Sequence, residues 1–579
     1  MHSTCEVMFE QVRKHSLSAW VECCYQDAPL LFAGDDILKS CAGVQQGDPL
    51  GPLLFALVLH VLVLAVKEAV PSLDLHTWYL DDGTLVGSAA DLCRALTIAE
   101  TLGPELGLQL GDCLVWSPCP DADFTPFPAW LPTQIGSGFK LLGATIGDRA
   151  AAEAYAARRV EKVATMVESL ELLEDVQLQY SLLKYCVGLP RFIYQLRVTP
   201  SEKIAFAIES FDDVMLSGIQ SLFGNCPLTA DDLERISFPV SQSGFGLGLA
   251  STSAAAAYVG SLFHSLPLQA QLLGLENHDE LLAAYSPLLA AFNASLPDVK
   301  QVTSSDLLAS SAPQHLLTTT QTGVRVAAFI ASRDTPRERH VVETTLKCNG
   351  NWLDAPYGVD VMDPLAWRCA ARFRLGKPLF SRPVKCPCCA SGLLDIYGIH
   401  ATFCTGDGDC VNRHNAVRDL IVALAKSGKM SVLDREPGFL LSDSVSGEKP
   451  ADVYFHNWKL GQGLCVDVCI ANSLEFSSDP APFNPMEPLI NKENLKRGKY
   501  QAKCTERGYL FMPFVCGSLG GFSDDAVVIM KEIGAAIAVA QGQSKGVAVD
   551  RIRKRIAFAI QKAQAMSWIR RGVMADVML

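Results

Sequence analysis

Two adjacent carboxylates, Asp81 and Asp82, are the residues of this sequence with the clearest capacity for chemistry. They lie between short β-prone runs at 73–79 and 84–86, and this pattern predicts a strand, a tight turn and a second strand. Neighbouring carboxylates repel each other, and a divalent cation relieves that repulsion. The pair therefore indicates either a Mg²⁺ site for phosphoryl chemistry or, if it stands alone, a solvated Asp-Asp-Gly turn.

A second group of chemically suited residues combines thiols with an imidazole. Its members are separated by two, ten and three residues, a spacing consistent with a tetrahedral Zn²⁺ site: Cys386, Cys389, His400 and Cys404. Cys388 is an alternative to Cys389, and His414 is an alternative to His400. Buried thiols without a metal are the remaining interpretation.

A third group places acidic residues before basic ones. Asp452 and Asp467 each lie in a short apolar run that predicts a buried strand. A basic segment follows at 492–507, where six Lys or Arg residues and two Glu residues give a net charge of +4. This segment contains Lys496, Arg497 and Lys499.

The composition of the chain limits the class of protein. The chain has 579 residues, 20 cysteines and a formal net charge of −13. Its first residues lack the basic and apolar regions of a secretory signal, so we expect reduced thiols and a nuclear or cytoplasmic location rather than secretion. The acidic total opposes contact with phosphates, so nucleic-acid binding would require a local concentration of basic residues such as that at 492–507.

An apolar run of 14 residues occupies positions 53–66. A membrane-spanning helix needs about 18–20 residues, so the run favours a fully buried helix and no membrane contact. Asp48 and Pro49 predict the cap and the first residue of this helix. Gln46 and Gly47 would then lie just before a helix N-terminus, where backbone amides favour phosphate.

Taken together, Gln46-Gly47 and Asp81-Asp82 resemble motifs B and C of the reverse transcriptase palm. The segment 43–55, Gly-Val-Gln-Gln-Gly-Asp-Pro-Leu-Gly-Pro-Leu-Leu-Phe, resembles non-LTR retrotransposons in particular. The resemblance implies that Gln46 and Gly47 lie against the template and the incoming nucleotide. It also implies that Asp81 and Asp82 hold two Mg²⁺ (or Mn²⁺) ions for nucleotidyl transfer.

The resemblance continues beyond motif C but is incomplete. Residues 107–110 resemble the start of motif D, and residues 139–144 resemble the primer-grip region. No Lys follows 107–110 in the register of the family, and the family spacing places the third metal-binding Asp, in motif A, at or before Met1. We therefore expect a palm that lacks both the motif A aspartate and the fingers.

The order Asp452, Asp467 and a following Lys resembles the PD-(D/E)xK nucleases. This resemblance implies that both carboxylates bind Mg²⁺. It also implies that Lys499 or Lys496 orients the attacking water, because Cys469 stands where the family strand carries its Lys. A Cys-Cys-His-Cys zinc knuckle followed by such a nuclease is the C-terminal layout of one group of non-LTR retrotransposons.

These observations predict an α+β fold. The parts would be a reverse transcriptase palm remnant, a helical thumb, a helical connector, a zinc knuckle and a small α/β nuclease-like domain. Their expected boundaries are, in that order, 1–148, 149–270, 271–380, 381–425 and 426–579.

The function implied by the resemblance is that of a retrotransposon fragment with RNA-directed DNA polymerase activity. Nucleotidyl transfer would occur at Asp81 and Asp82, and the C-terminal domain would nick target DNA. An RNA template, a DNA target and dNTPs would be the partners, with Lys496 and Arg497 contacting nucleic acid, and Mg²⁺ (or Mn²⁺) and Zn²⁺ the cofactors. The alternative is a catalytically dead remnant or a reused nucleic-acid-binding protein.

Overall fold

The computed structural model describes residues 18–25, 30–34, 36–39, 43–44, 47–224, 226–348, 350–354, 361–389, 392–434, 440, 450–459, 461–474 and 484–579. It confirms a mixed α+β composition in which helices predominate and the sheets are small. The chain divides into two compact units. One comprises Met1–Tyr155 with Ser265–Ala284, and the other comprises Ala156–His264 with Tyr285–Leu579.

The first unit contains short strands that pair two by two. Its strands are Leu30–Ala33 (β1), Asp36–Lys39 (β2), Leu75–Tyr79 (β3), Asp82–Val86 (β4), Val115–Ser117 (β5), Thr133–Ile135 (β6), Gly138–Leu141 (β7) and Ala144–Gly147 (β8). β5 and β6 are parallel, and the other pairs are antiparallel. The helices are Ser18–Tyr25 (α1), Gly51–Ala69 (α2) and Ala89–Glu105 (α3).

The core of the first unit lies between α2, α3 and the β3–β4 hairpin. α2 buries Leu54, Val58 and Leu62 at intervals of four residues, which places them on one face of the helix. Trp78 and Leu85 of the hairpin pack against this cluster. Complete burial of such side chains contributes roughly 1.5–3 kcal/mol each, so this stripe holds the hairpin in place.

The start of α2 differs from the prediction. The helix begins at Gly51 after Leu50, and Pro52 occupies its first turn. The Asp48 carboxylate instead accepts a hydrogen bond from the Leu50 backbone N–H at 2.9 Å, and its carbonyl accepts one from the Gly51 N–H at 3.0 Å. The prediction of Asp48 as the helix cap is wrong because this side chain stabilises a turn that precedes the helix.

The prediction that α2 is fully buried is also wrong. α2 is apolar on all sides, but α3 and the hairpin cover only one of them. Leu53 and Leu64 remain 45% and 51% exposed. Within the described ranges α2 is the one helix whose length and composition would allow it to cross a membrane.

The second unit begins with a largely helical region. Its helices are Arg149–Glu171 (α4), Val176–Leu182 (α5), Leu189–Val198 (α6), Ala205–Leu222 (α7), Ala230–Ser237 (α8), Ala250–Leu272 (α9), Asp279–Asn293 (α10), Ser304–Ala309 (α11), Pro313–Ala331 (α12), Pro336–Lys347 (α13) and Pro364–Leu375 (α14). α4, α9 and α10 also have residues in the first unit. A π-helical turn, Leu183–Val187, continues α5.

Local sequence explains where several of these helices begin. A Thr precedes the helix and an acidic residue lies three positions later, which forms a reciprocal capping box at α8, α11 and α13: Thr229 with Asp232, Thr303 with Asp306, and Thr335 with Glu338. Each box satisfies backbone N–H groups that have no partner inside the helix.

The C-terminal part of the second unit is built on a four-stranded sheet. Its elements are Val384–Lys385 (β9), Leu393–Leu394 (β10), Asp409–Ser427 (α15), Val432–Asp434 (β11), Val453–Lys459 (β12), Gln462–Ala471 (β13), Glu487–Glu506 (α16), Leu510–Gly517 (β14), Asp524–Gln541 (α17) and Lys545–Met574 (α18). The sheet order is β11-β12-β13-β14. β12 is antiparallel to β11 and β13, whereas β14 is parallel to β13 and follows the crossover helix α16.

The central strand β13 is buried on both faces. Leu464, Val466 and Val468 pack into a core formed with α15, α17 and α18. Cys465, on the opposite face, packs against Tyr500 of α16. An apolar run that is nearly continuous is typical of such a strand. The sheet is therefore rigid beside Asp452, which immediately precedes β12, and Asp467, which lies in β13.

Candidate functional site

The two acidic residues of the C-terminal hairpin lie opposite each other. Val453 of β12 pairs with Val466 of β13, so the antiparallel register places Asp452 opposite Asp467. Directly opposed residues share one face of the sheet, with Cβ atoms about 4.5–5.5 Å apart. Both side chains are buried, at 7% and 6% exposed.

Asp452 is held by neighbours on two elements. Its Oδ2 accepts a hydrogen bond from the backbone N–H of Val468 at 2.6 Å. Its Oδ1 lies 3.2 Å from Nε2 of His414, on α15. The hydrogen bond to Asp452 raises the pKa of His414, although burial opposes this shift. The carboxylate is therefore fixed in orientation before any ligand binds.

Asp467 meets a lysine from the crossover helix. Its Oδ2 lies 2.7 Å from Nζ of Lys496. Burial raises the pKa of Asp467, and the nearby Asp452 adds to the increase, while Lys496 opposes it. Burial lowers the pKa of Lys496, but the charge of Asp467 outweighs burial and leaves the pKa above its usual value. Burial is thus the main cause of the raised pKa of Asp467.

This donor set suits a hard divalent cation. Mg²⁺ binds carboxylate oxygens, and opposed buried carboxylates are costly without a cation between them. Asp452 and Asp467 are therefore the residues that could hold such an ion.

The carboxylates face a cleft of about 880 Å³. α16 lines one side with Lys492, Lys496 and Tyr500, which are spaced four residues apart and form one stripe along the helix. The cleft contains both polar and apolar side chains: Ile399, Thr402, Phe403, Cys410, Arg413, His414, Asp452, Asp467, Val468, Cys469, Ile470, Asn472, Leu474, Lys492, Lys496 and Tyr500.

The structure separates the two candidate lysines. Lys496 contacts Asp467, whereas Nζ of Lys499 lies 4.7 Å from the centre of the Tyr500 ring and does not line the cleft. Arg497 also points elsewhere, since its guanidinium pairs with Asp525 and with Glu493. Of the predicted basic residues, the structure brings only Lys496 to the carboxylates.

Two residues of this cleft were not predicted from the sequence. From the sequence His414 is predicted only as an alternative zinc ligand, and its partner Asp452 is remote in sequence. Lys492 lies in the basic segment, but the sequence assigns it no individual role. Its spacing of four residues from Lys496 is the signal that could have identified it, because residues four apart lie on the same face of a helix.

The predicted zinc ligands do come together. The ligand atoms of Cys386, Cys389, His400 and Cys404 all lie within 4.8 Å of one another. Sγ of Cys386 is 3.8 Å from Sγ of Cys404, and Sγ of Cys389 is 3.3 Å from Nε2 of His400. Tetrahedral ligands of Zn²⁺ lie roughly 3.5–3.8 Å apart, given their bond lengths to the metal. The cluster could therefore bind a metal such as zinc.

The geometry also decides between the alternative ligands. Sγ of Cys388 lies 3.7 Å from a carboxylate oxygen of Asp407 and outside the cluster. His414 contacts Asp452 instead. Burial raises the pKa of Cys386, but hydrogen bonds from the Cys388 backbone and from neighbouring side chains outweigh it and lower the pKa to about 6. A thiolate, the form that binds metal, is thus favoured there.

A short hairpin and a turn shape the cluster. The Cys386 N–H donates to the Gly392 carbonyl at 2.8 Å, between β9 and β10. A Cβ atom at Gly392 would lie 2.1 Å from the His400 ring and 2.7 Å from Sγ of Cys389, so only glycine fits. The Asp395 carboxylate accepts hydrogen bonds from the backbone N–H groups of Ile399 and His400, at 3.1 and 2.8 Å, which orients the turn that presents His400.

The Asp81–Asp82 pair lies in the first unit, at the tip of the β3–β4 hairpin. Tyr79 pairs with Asp82, so Leu80 and Asp81 form a two-residue turn in which Leu80 has φ of +54°. Both aspartates are exposed. The described part of the chain places no third metal-ligating residue beside them. Gly47 is exposed with φ of +92°, and Gln46 lies outside the described residues.

Comparison of the sequence with protein-family models gives no match, and comparison with curated proteins gives none either. The buried carboxylates with Lys496, and the cluster of three cysteines and a histidine, are thus the features that bear on function. They lie in the same unit and are joined by α15, which carries His414.

Proposed function

We propose that the C-terminal part of this chain is a metal-dependent nuclease that nicks DNA. One observation carries the proposal: two buried carboxylates, Asp452 and Asp467, lie opposite each other on a rigid hairpin with Lys496 against one of them. The resemblance of this order of residues to the PD-(D/E)xK nucleases supports the same reaction.

The side chains divide the task of phosphodiester hydrolysis. Asp452 and Asp467 would hold Mg²⁺, which supplies Lewis acidity and an activated water when bound. Lys496 would orient the attacking water and balance charge on the phosphate. The backbone N–H of Val468 and the imidazole of His414 keep Asp452 in place. Lys492, exposed on the same stripe of α16, would attract the phosphate backbone.

Plasmid nicking tests this proposal. The wild-type chain should convert supercoiled DNA to the open circle in the presence of Mg²⁺, and Asp467→Asn should lower the initial rate by at least about 100-fold because it removes a metal ligand. Asp524→Asn, an exposed carboxylate at the start of α17, is the matched control and should nick at the wild-type rate. Equal rates for wild type and Asp467→Asn would rule out this site.

A second candidate function is RNA-directed DNA polymerase activity, favoured by the hairpin that places Asp81 and Asp82 at its exposed tip. The resemblance to motifs B and C supports it. Primer extension on an RNA template with dNTPs and Mg²⁺ or Mn²⁺ is the test, with Asp82→Asn expected to abolish extension and Asp112→Asn to preserve it. DNA binding without extension or nicking would favour the dead remnant or reused binding protein.

A further inference from the structure

We propose that Phe403 stacks on an unpaired base, so that the preferred substrate is DNA with an unpaired nucleotide next to the bond that is cut. This inference rests on the nuclease function proposed above. Phe403 lies between His400 and Cys404 in the chain and lines the same cleft as Asp452 and Asp467. Phe403 is 51% exposed, so its ring is accessible to a ligand in the cleft.

The Phe403 ring is held in position by its neighbours. It meets the His400 imidazole edge to face, with centroids 5.3 Å apart and planes inclined by 79°. The neighbouring Thr402 carbonyl accepts a hydrogen bond from the buried guanidinium of Arg413, which also donates to Gln564 at 3.0 Å. The metal cluster and α15 therefore fix the position of the aromatic group in the wall of the cleft.

The chemistry of the cleft selects the occupant. A phenyl ring has no hydrogen-bonding group for a phosphate or a sugar, but it offers a flat face to a base. In a paired duplex, neighbouring bases cover both faces of each base, so only an unpaired or flipped base can stack on Phe403. Lys492 and Lys496 on α16 supply positive charge in the same cleft. An aromatic platform beside a basic groove is the combination that binds single-stranded nucleic acid.

The experiment compares binding to two duplexes of one sequence, one fully paired and one with a three-nucleotide bubble. Fluorescence anisotropy is measured with Mg²⁺ on full-length Asp467→Asn protein, so that the DNA is not cut. This protein should bind the bubble more tightly. Adding Phe403→Leu, which keeps an apolar contact with His400 but has no aromatic face, should weaken bubble binding by about 5- to 100-fold. Binding to the paired duplex should change by less than about twofold.

Two further variants complete the test. Phe403→Trp should restore the preference for the bubble, and Phe206→Leu, at an exposed aromatic residue of α7, should leave it unchanged. Equal affinity for the bubble with and without the Phe403→Leu substitution would overturn the inference, as would an equal loss on both duplexes. Failure of the proposed nuclease function can be distinguished from failure of this inference. In the first case, the protein would never nick DNA but would keep a preference for the bubble that depends on Phe403.

Discussion

At the scale of single residues, the burial of charge is the most informative property of this chain. Asp452 and Asp467 occupy opposed positions where like charges are destabilising. The fold compensates with one backbone N–H, one imidazole and one ammonium group, from Val468, His414 and Lys496. Burying two carboxylates side by side lowers the stability of the fold, and groups with perturbed pKa values of this kind cluster at functional sites.

A second buried ionisable residue, His340, predicts how stability depends on pH. Its Nε2 lies 3.1 Å from the Ser473 carbonyl, and burial lowers its pKa while that hydrogen bond offsets only part of the shift. Below a pH of about 6.5 the unfolded chain binds more protons at this residue than the folded chain. The free energy of unfolding should therefore fall as the pH decreases from about 7 to about 5.

Urea unfolding at several pH values measures this dependence. His340→Gln should reduce the acid loss of stability, whereas His264→Gln, at an exposed histidine, should follow the wild type. A His340→Gln protein with an unchanged pH dependence would show that this imidazole does not titrate differently in the fold.

At the scale of elements, the metal cluster is formed by a hairpin and a turn too small to hold their shape alone. Their support comes from α18, where Trp568 Nε1 donates to the Gly398 carbonyl at 2.9 Å. Because a bound metal would replace a hydrophobic core in this region, its loss should loosen the wall that carries Phe403.

Zinc content tests the ligand assignment. Dialysed wild-type protein should retain one Zn²⁺ per chain, and His400→Ala should lose it and lower the midpoint of thermal unfolding, since a structural zinc contributes folding free energy. His414→Ala is the matched control and should keep its zinc. Retention of zinc by His400→Ala together with its loss from His414→Ala would mean that the ligand set in solution differs from that in the structure.

Features that depend on local sequence patterns could be predicted, whereas contacts between residues distant in sequence could not. The apolar runs around Asp452 and Asp467 predict β12 and β13, because strand formation there follows from local pattern. The choice of Lys496 over Lys499 was not predictable, since it depends on which face of α16 packs on the sheet. The pairing of His414 with Asp452 likewise joins distant parts of the chain.

At the scale of the whole molecule, the region of the Cys386–Cys404 cluster and the sheet share one core. The sequence predicts a knuckle at 381–425 and a nuclease domain from 426. In the structure α15 crosses that boundary and packs its buried residues into the core of the sheet, together with α17 and α18. The cleft has walls from both regions, so its shape depends on each.

One buried ion pair joins these parts. Arg571 of α18 is fully buried, pairs with Asp409 at the start of α15, and donates to the Gly406 carbonyl at 3.2 Å. Asp409 also pairs with Arg570, so Arg571→Met removes one of two partners of this carboxylate together with the hydrogen bond to Gly406. We expect Arg571→Met to lower the free energy of unfolding by roughly 1–3 kcal/mol, the cost of breaking buried hydrogen bonds.

Chemical denaturation measures that loss, with Lys545→Met as the control at the exposed first position of α18. The control should change stability by less than about 0.5 kcal/mol. A loss below about 1 kcal/mol for Arg571→Met would mean that α18 and the metal region do not depend on this pair.

The central claim is that Asp452, Asp467 and Lys496 form one nuclease site, and the initial rate of plasmid nicking by Lys496→Ala and Lys499→Ala tests it most directly. These lysines are three residues apart on α16, but only Lys496 contacts Asp467. We predict a loss of about 100-fold or more for Lys496→Ala, in the range of a positioned proton-transfer or charge-balancing group, and less than about twofold for Lys499→Ala. Wild-type nicking by Lys496→Ala, or loss of nicking in Lys499→Ala alone, would contradict it.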